Sequence, residues 1–221
     1  MTHWIIAPIL IPALAGLLLL LEVRERQRLR RFTGLLSCVA LVPVALVLWQ
    51  QAAQGDVGVY QLGNWQAPFG IVLVLDKLSA LMLLLTALLA LPALLYGCAG
   101  DDAKGNFFHP LVHFLILGVN GAFLTGDLFN VFVFFEVLLI ASYSLLMHAG
   151  DKQNTRAALQ YVILNLVGSS VFLIGLGILY GVLGTLNIAD MTQKVALLTG
   201  DDVYLAKAGG LLLLVVFALK A

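Results

Sequence analysis

Seven times along this sequence an apolar run reaches, or nearly reaches, the roughly 20 residues that carry a helix across a bilayer core, and that repetition leaves few folds open. The runs cover residues 4–21, 32–50, 77–99, 107–124, 126–148, 157–181 and 204–221. Hydrophobic residues make up 62% of the chain and charged residues only 11%, against the roughly 25% charged residues of soluble domains. The mean hydropathy is +1.03. The expected fold is therefore an all-α polytopic membrane protein of about seven transmembrane helices. Twelve basic residues balance twelve acidic ones, and no basic patch is interleaved with aromatics, so nucleic acid is not an expected partner. The first run has the hydrophobicity of a signal peptide, but no basic segment precedes it and no small-residue cleavage site follows; it reads as a retained helix.

Orientation follows from where Lys and Arg fall. The first loop carries Arg24, Arg26, Arg28, Arg30 and Arg31, the third Lys104, and the fifth Lys152 and Arg156. The alternate loops hold Lys77, Lys194 and Lys207, which puts odd-numbered loops in the cytoplasm. Topology alone accounts for the arginine cluster, which Glu22 and Glu25 interrupt. Between the second and third runs, residues 57–62 and 71–75 read as short strands around Gly63, Asn64, Pro68 and Gly70, an extracytoplasmic β-hairpin. Asp76 stands where a helix N-cap belongs, and Asp127 and Asn130 stand at the start of the fifth helix in similar positions. Residues 186–202 mix polar and apolar side chains and predict a short surface helix. No Gly/Ser- or Pro-rich linker divides the chain, which reads as one transmembrane domain.

Glu136 stands out chemically, near the middle of LFNVFVFFEVLLIASYSLLM. An acid at the centre of a membrane helix costs roughly 2.5–3.5 kcal/mol on insertion scales, so such residues usually mark an ion or proton pathway. The alternative is a carboxylate that pairs with a neighbouring subunit only to assemble. On the fourth helix His109, His113 and Asn120 fall on one face. They are a possible hydrated path or interfacial residues without function; the histidine spacing suits metal, but no third ligand accompanies it in the sequence. Tyr161, Asn165, Gly168 and Ser169 form a weakly polar stripe read as small-residue packing. Cys38 and Cys98 show no ligand or redox spacing. No phosphate-binding, dinucleotide-binding or nucleophile-elbow motif is present, and no cofactor or metal is expected.

The segments GNWQAPFGIVLVLDKLSALMLLLTALLALP (63–92), NGAFLTGDLFNVFVFFEVLLIASYSLL (120–146) and LNLVGSSVFLIGLGILYGVLGTLNIADM (164–191) resemble the D subunit of Mrp/Pha-type multisubunit cation/proton antiporters. The resemblance covers nearly the whole chain. It extends more loosely to the antiporter-like subunits of the membrane arm of respiratory complex I, and the hairpin segment favours the antiporter branch. Family members carry about fourteen helices in inverted repeats, with a broken seventh helix bearing a lysine, which Phe217-Ala218-Leu219-Lys220-Ala221 resembles.

The resemblance implies a bacterial inner-membrane, multi-pass transporter subunit rather than an enzyme. Its partners would be other antiporter subunits in a hetero-oligomeric complex and the bilayer, and its substrates protons and Na⁺ or K⁺. Glu136 would be the essential fifth-helix glutamate and Lys220 the seventh-helix lysine. Such a pair handles protons by geometry: together the two hold opposite charges, and moving them apart releases a proton. Residues 1–106 would supply helices 1–3 with the hairpin, and 107–221 an incomplete first repeat. Counted from residue 204, the last helix would span only about 24 Å, and the chain is expected to be an N-terminal part of a longer transporter. The alternatives are a proton-pumping complex I membrane-arm subunit, powered by redox energy from its partners, and a non-transporting assembly subunit.

Overall fold

A computed structural model describes residues 2–22, 27–148, 150 and 152–220. Arg24 and Arg26 of the basic loop and Ala221 of the final motif lie outside the described residues. Helices dominate: α1 Ala7–Leu21, α2 Gln27–Ala53, α3 Lys77–Gly97, α4 Phe108–Leu124, α5 Leu128–Met147, α6 Lys152–Leu183, α7 Ile188–Val195 and α8 Asp201–Lys220. Six of them are long and apolar enough to cross a membrane, and α4 is a shorter apolar helix of 17 residues.

The helices differ from the apolar runs mainly at their polar ends. The α2 helix starts at Gln27 rather than at residue 32, and α6 at Lys152 rather than at 157. Gln, Arg and Lys are good helix formers, so the helix continues past the hydrocarbon-compatible stretch. The last helix starts at Asp201 and runs for 20 residues, about 30 Å at 1.5 Å per residue. The expectation that it is too short to span is therefore corrected: Asp201 and Asp202 open its first turn, where acids complement the helix dipole.

The hairpin forms as expected from β1 Gly58–Gln61 and β2 Val72–Leu75, paired antiparallel with Tyr60 opposite Leu73. Gly63 and Asn64 both take left-handed backbone angles in the connection (φ 63 and 61), a conformation glycine and asparagine tolerate best. Val72, Leu73 and Leu75 are buried, the two leucines in a cluster with Ile5, Leu48 and Leu124 that fastens the hairpin to the helix ends. Asp76 caps α3 in a reciprocal box: its carboxylate accepts from Ser79 N at 2.7 Å, and its own N–H donates to Ser79 Oγ at 2.8 Å.

Two ends of the bundle are distinct. At one, Gln27 and Arg30 of α2 reach the 98–107 connection, and a Cβ added at Gly105 would lie 2.7 Å from the His148 ring. At the other, Gly126 N donates to Val72 O at 2.9 Å and Ile188 N to Gly126 O at 2.9 Å. Odd-numbered and even-numbered connections thus gather at opposite ends. The short helix expected within 186–202 is α7, capped by Asn187, with Met191 buried against the Phe172, Leu176 and Leu213 cluster.

Candidate functional site

Helix α5 presents two opposed faces. On one, α4 approaches so closely that a Cβ added at Gly118 would lie 2.6 Å from Leu138 Cβ and 2.7 Å from its backbone N. At Gly121 the same addition would meet the Phe134 ring at 2.2 Å. Glu136 lies about 160° around the helix from both Phe134 and Leu138, toward α6 and α8. A glycine seam on α4 therefore sets the position of the helix that carries the acid.

Three side chains from three helices meet at Glu136. Lys220 Nζ lies 3.4 Å from Glu136 Oε1 and donates to Ser169 Oγ at 3.1 Å, while Ser169 Oγ donates to Glu136 Oε1. The lysine side chain is 4% exposed and that of the glutamate 29%. The Lys220 Nζ stands 5.7 Å from the Phe135 ring centroid. The lysine stem packs beside Gly168: a Cβ there would be in ordinary contact with Lys220 Cε at 3.5 Å, and 3.3 Å from Leu219 Cδ2. Phe217 stacks edge-on against Phe172 at 5.6 Å and beside Phe135 at 6.2 Å, walling the group with aromatic surface. Ser169, read from the sequence as a packing residue, is instead bonded to both charged groups.

The histidine stripe points elsewhere. His109, His113 and Asn120 are all buried. Gly34 of α2 faces both rings, Gly16 of α1 faces His113, and Asn120 Nδ2 donates to Pro8 O of α1 at 2.9 Å. These contacts lie on the α1 and α2 side of α4, away from the seam with α5, so the stripe does not adjoin Glu136. His109 Nδ1, His113 Nε2, Asn120 Oδ1 and Ser37 Oγ have no protein hydrogen-bond partner among the described residues, the kind of setting that holds ordered water.

At the end of that stripe lies a polar cluster the sequence reading did not assemble. Asp102, its side chain fully buried, accepts from Arg31 Nε at 2.5 Å and Nη2 at 2.8 Å and lies 3.3 Å from His109 Nε2. The Arg31 guanidinium holds the Asp102 carboxyl below the usual carboxylate range, against the opposing effect of burial. Burial pushes the Cys98 thiol up. Neighbouring Arg30 donates to Asn106 Oδ1 at 2.9 Å and to Glu22 O at 2.9 Å. Topology alone is therefore an incomplete account of the arginines, because two of them clamp the 98–107 connection. The histidine also has neighbours that the sequence did not reveal: Cys98, Asp102 and His109 offer donor atoms within 4.8 Å of one another. His113 is not among them, its Nδ1 being bonded to His109 O at 2.8 Å. Gln27, Arg30, Asp102, Asn106 and His109 line a cleft of about 240 Å³ at this end.

Of the expected caps, Asp127 accepts from Asn130 N at 3.0 Å and begins α5, and burial pushes its carboxyl up. Asn165 Nδ2 donates to Tyr161 O at 2.9 Å within its own helix.

Comparison with known proteins finds similarities over part or all of the chain. Residues 125–221, which include α5 to α8, match the family described as NADH:quinone oxidoreductase/Mrp antiporter, TM. The chain is 48% identical to the D subunit of a probable K(+)/H(+) antiporter of Rhizobium meliloti, over 99% of this chain and 42% of that protein. It is 41% identical to the D subunit of a Na(+)/H(+) antiporter of Bacillus subtilis, over 100% of this chain and 44% of that one. Among solved structures it resembles a chain of the Mrp complex from Dietzia sp., with a TM-score of 0.84 and 34% identity, over 99% of this chain and 41% of the other. The chain thus spans about two-fifths of the length of these relatives.

Proposed function

We propose that this chain, of which residues 125–221 match the NADH:quinone oxidoreductase/Mrp antiporter membrane family, is a D-type subunit of a monovalent cation/proton antiporter in which Glu136 and Lys220 handle the proton. The observation that carries the proposal is the contact itself: a lysine whose side chain is 4% exposed places its Nζ 3.4 Å from a carboxylate in the middle of an apolar helix. Neither charge is sustainable alone in such surroundings. A displacement of the end of α8 that separates them leaves the lysine without its counter-charge, and its proton leaves. Returning the helix restores the pair and takes a proton up.

The cation is Na⁺ or K⁺, since the D subunits at 41% and 48% identity are named for one each. The partners are other antiporter subunits in a hetero-oligomeric complex of the bacterial cell membrane. His109, His113 and Asn120 form a separate hydrated line within the α1, α2 and α4 bundle.

The test is Glu136→Gln in the intact antiporter, with exchange measured per assembled complex in membrane vesicles. The expected result is loss of exchange with assembly retained, and partial activity for Glu136→Asp, whose charge sits one methylene short. An assembly contact would behave differently: neutralising one partner of a buried pair costs roughly 3–5 kcal/mol, so the complex itself would be depleted. Wild-type exchange per complex in Glu136→Gln would overturn the proposal.

A further inference from the structure

Building on the functional reading above, we infer that Ser169 is the relay through which the proton passes between Lys220 and Glu136, and that its single hydroxyl hydrogen must turn back before a second proton follows in the same direction.

Serine and threonine hydroxyls in apolar helices ordinarily bond back to the carbonyl four residues earlier. In this chain Thr86, Ser144, Ser170 and Thr192 do so, on Met82, Ile140, Leu166 and Ile188 at 2.8–2.9 Å. Ser169, adjacent to Ser170 on the same helix, is bonded instead across to α5 and α8. Its residue is 5% exposed, so bulk solvent does not compete for the hydroxyl.

The distances favour the indirect route. Charge-assisted N–H···O bonds that transfer protons readily are about 2.7–2.9 Å long, and the direct separation of Lys220 Nζ from Glu136 Oε1 is 3.4 Å. The leg from Nζ to Ser169 Oγ is shorter, at 3.1 Å, and Ser169 Oγ in turn donates to Oε1. A hydroxyl has one hydrogen to give and lone pairs to receive. Here the hydrogen points to the carboxylate and a lone pair faces the ammonium, which is the arrangement a relay requires.

In the transfer, the Ser169 O–H bond breaks as a Glu136 O–H bond forms, and a Lys220 N–H bond breaks as a new Ser169 O–H bond forms. An ammonium and a carboxylate become an amine and a carboxylic acid, with no net gain or loss of protons. The hydrogen now on Ser169 arrived from the lysine side and points toward the amine. The hydroxyl must rotate before it again donates to Glu136, so a second proton cannot follow in the same direction without that reset.

The experiment compares Ser169→Ala and Ser169→Thr with wild type in the intact antiporter, measuring cation/proton exchange per assembled complex across a pH series, with Glu136→Gln alongside. Removing one positioned acid–base group typically costs about 10²-fold, so Ser169→Ala is expected to lower exchange by roughly that factor and to displace the pH–rate profile. Ser169→Thr, which keeps the hydroxyl, is expected to restore most of the rate and the wild-type profile. Wild-type rate and profile in Ser169→Ala would overturn the relay, as would equal losses in Ala and Thr, which would assign the residue to packing. If Glu136→Gln abolishes exchange while Ser169→Ala does not, the relay alone fails. If Glu136→Gln exchanges normally, the underlying proton-handling assignment fails.

Discussion

Gly118→Ala tests whether the α4–α5 seam fixes the position of Glu136. The added methyl carbon would stand 2.6 Å from Leu138 Cβ, 2.7 Å from Leu138 N and 2.9 Å from Phe134 O. Two of those atoms are backbone, so no rotamer change relieves the overlap, and ordinary contact begins at 3.4 Å. The helices must therefore part by about 0.5–0.8 Å, the differences between 3.4 Å and the 2.9 and 2.6 Å contacts. Overpacking of this kind costs about 1–3 kcal/mol. Because Glu136 lies on the far side of α5, the displacement drives it toward Ser169, with which its carboxylate is already in hydrogen-bond contact. Equilibrium unfolding in detergent should register the stability loss, and vesicle assays should register reduced exchange per complex. Gly177→Ala is the control: a Cβ there meets nothing within 4 Å, and the better helix propensity of alanine leaves the bundle as stable as wild type or slightly more so. If Gly118→Ala matches wild type within about 0.3 kcal/mol and exchanges normally, α4 and α5 are not in close contact and the seam does not position the acid.

Two further predictions concern the other end of the molecule and the topology. Asp102→Asn keeps the shape of the buried acceptor but removes its charge, and should destabilise the fold by about 1.5–3 kcal/mol, the range for hydrogen bonds to charged groups. Because Arg31 depresses the Asp102 pKa on folding, its contribution is complete above the unfolded value of roughly 4 and is lost as pH falls through the lower folded value. Thermal unfolding in micelles at falling pH should therefore converge for wild type and Asp102→Asn, and a constant difference down to strongly acid pH would contradict the assignment. In a background lacking Cys38 and Cys98, Phe69→Cys should react with an impermeant thiol reagent from outside, since Phe69 is 91% exposed in the hairpin connection. Lys104→Cys should react only after permeabilisation; the reverse accessibility would invert the topology.

The helical membrane fold was legible because bilayer thickness imposes a length on every apolar run, and Glu136 because an acid inside such a run has a cost that composition makes visible. Lys220 came only through resemblance, since a lysine in a final turn equally suits an interface. Ser169 was missed for a physical reason. Flanked by Gly168 and Ser170, it fits a small-residue packing stripe, and nothing local says that its hydroxyl abandons the backbone for a carboxylate 33 residues away. Asp102 was hidden in the same way: it sits among Asp101 and Lys104, which pair with each other at 2.6 Å in the open, while its own partner Arg31 is 71 residues distant.

A usable signal did exist, in the spacing of Gln27, Arg30 and Arg31. Those residues become one polar helical face only if α2 is extended past its apolar run, and that face needs an acid in a connection at the same end. The two sites also divide along the family boundary. Glu136, Ser169 and Lys220 all fall within the matched residues 125–221, whereas Arg31, Asp102 and the histidine stripe precede them. The triad proposed to handle protons, within the matched segment, and the buried ion cluster outside it have different physical requirements. The first, under the proposed function, comes apart and reforms on each cycle, and it rests on a 3.4 Å contact and a rotatable hydroxyl. The second holds a connection in place, so it uses a bidentate guanidinium, which keeps its charge across the working pH range. Lysine at one site and arginine at the other accord with that proposal, because an ammonium gives up a proton far more readily than a guanidinium.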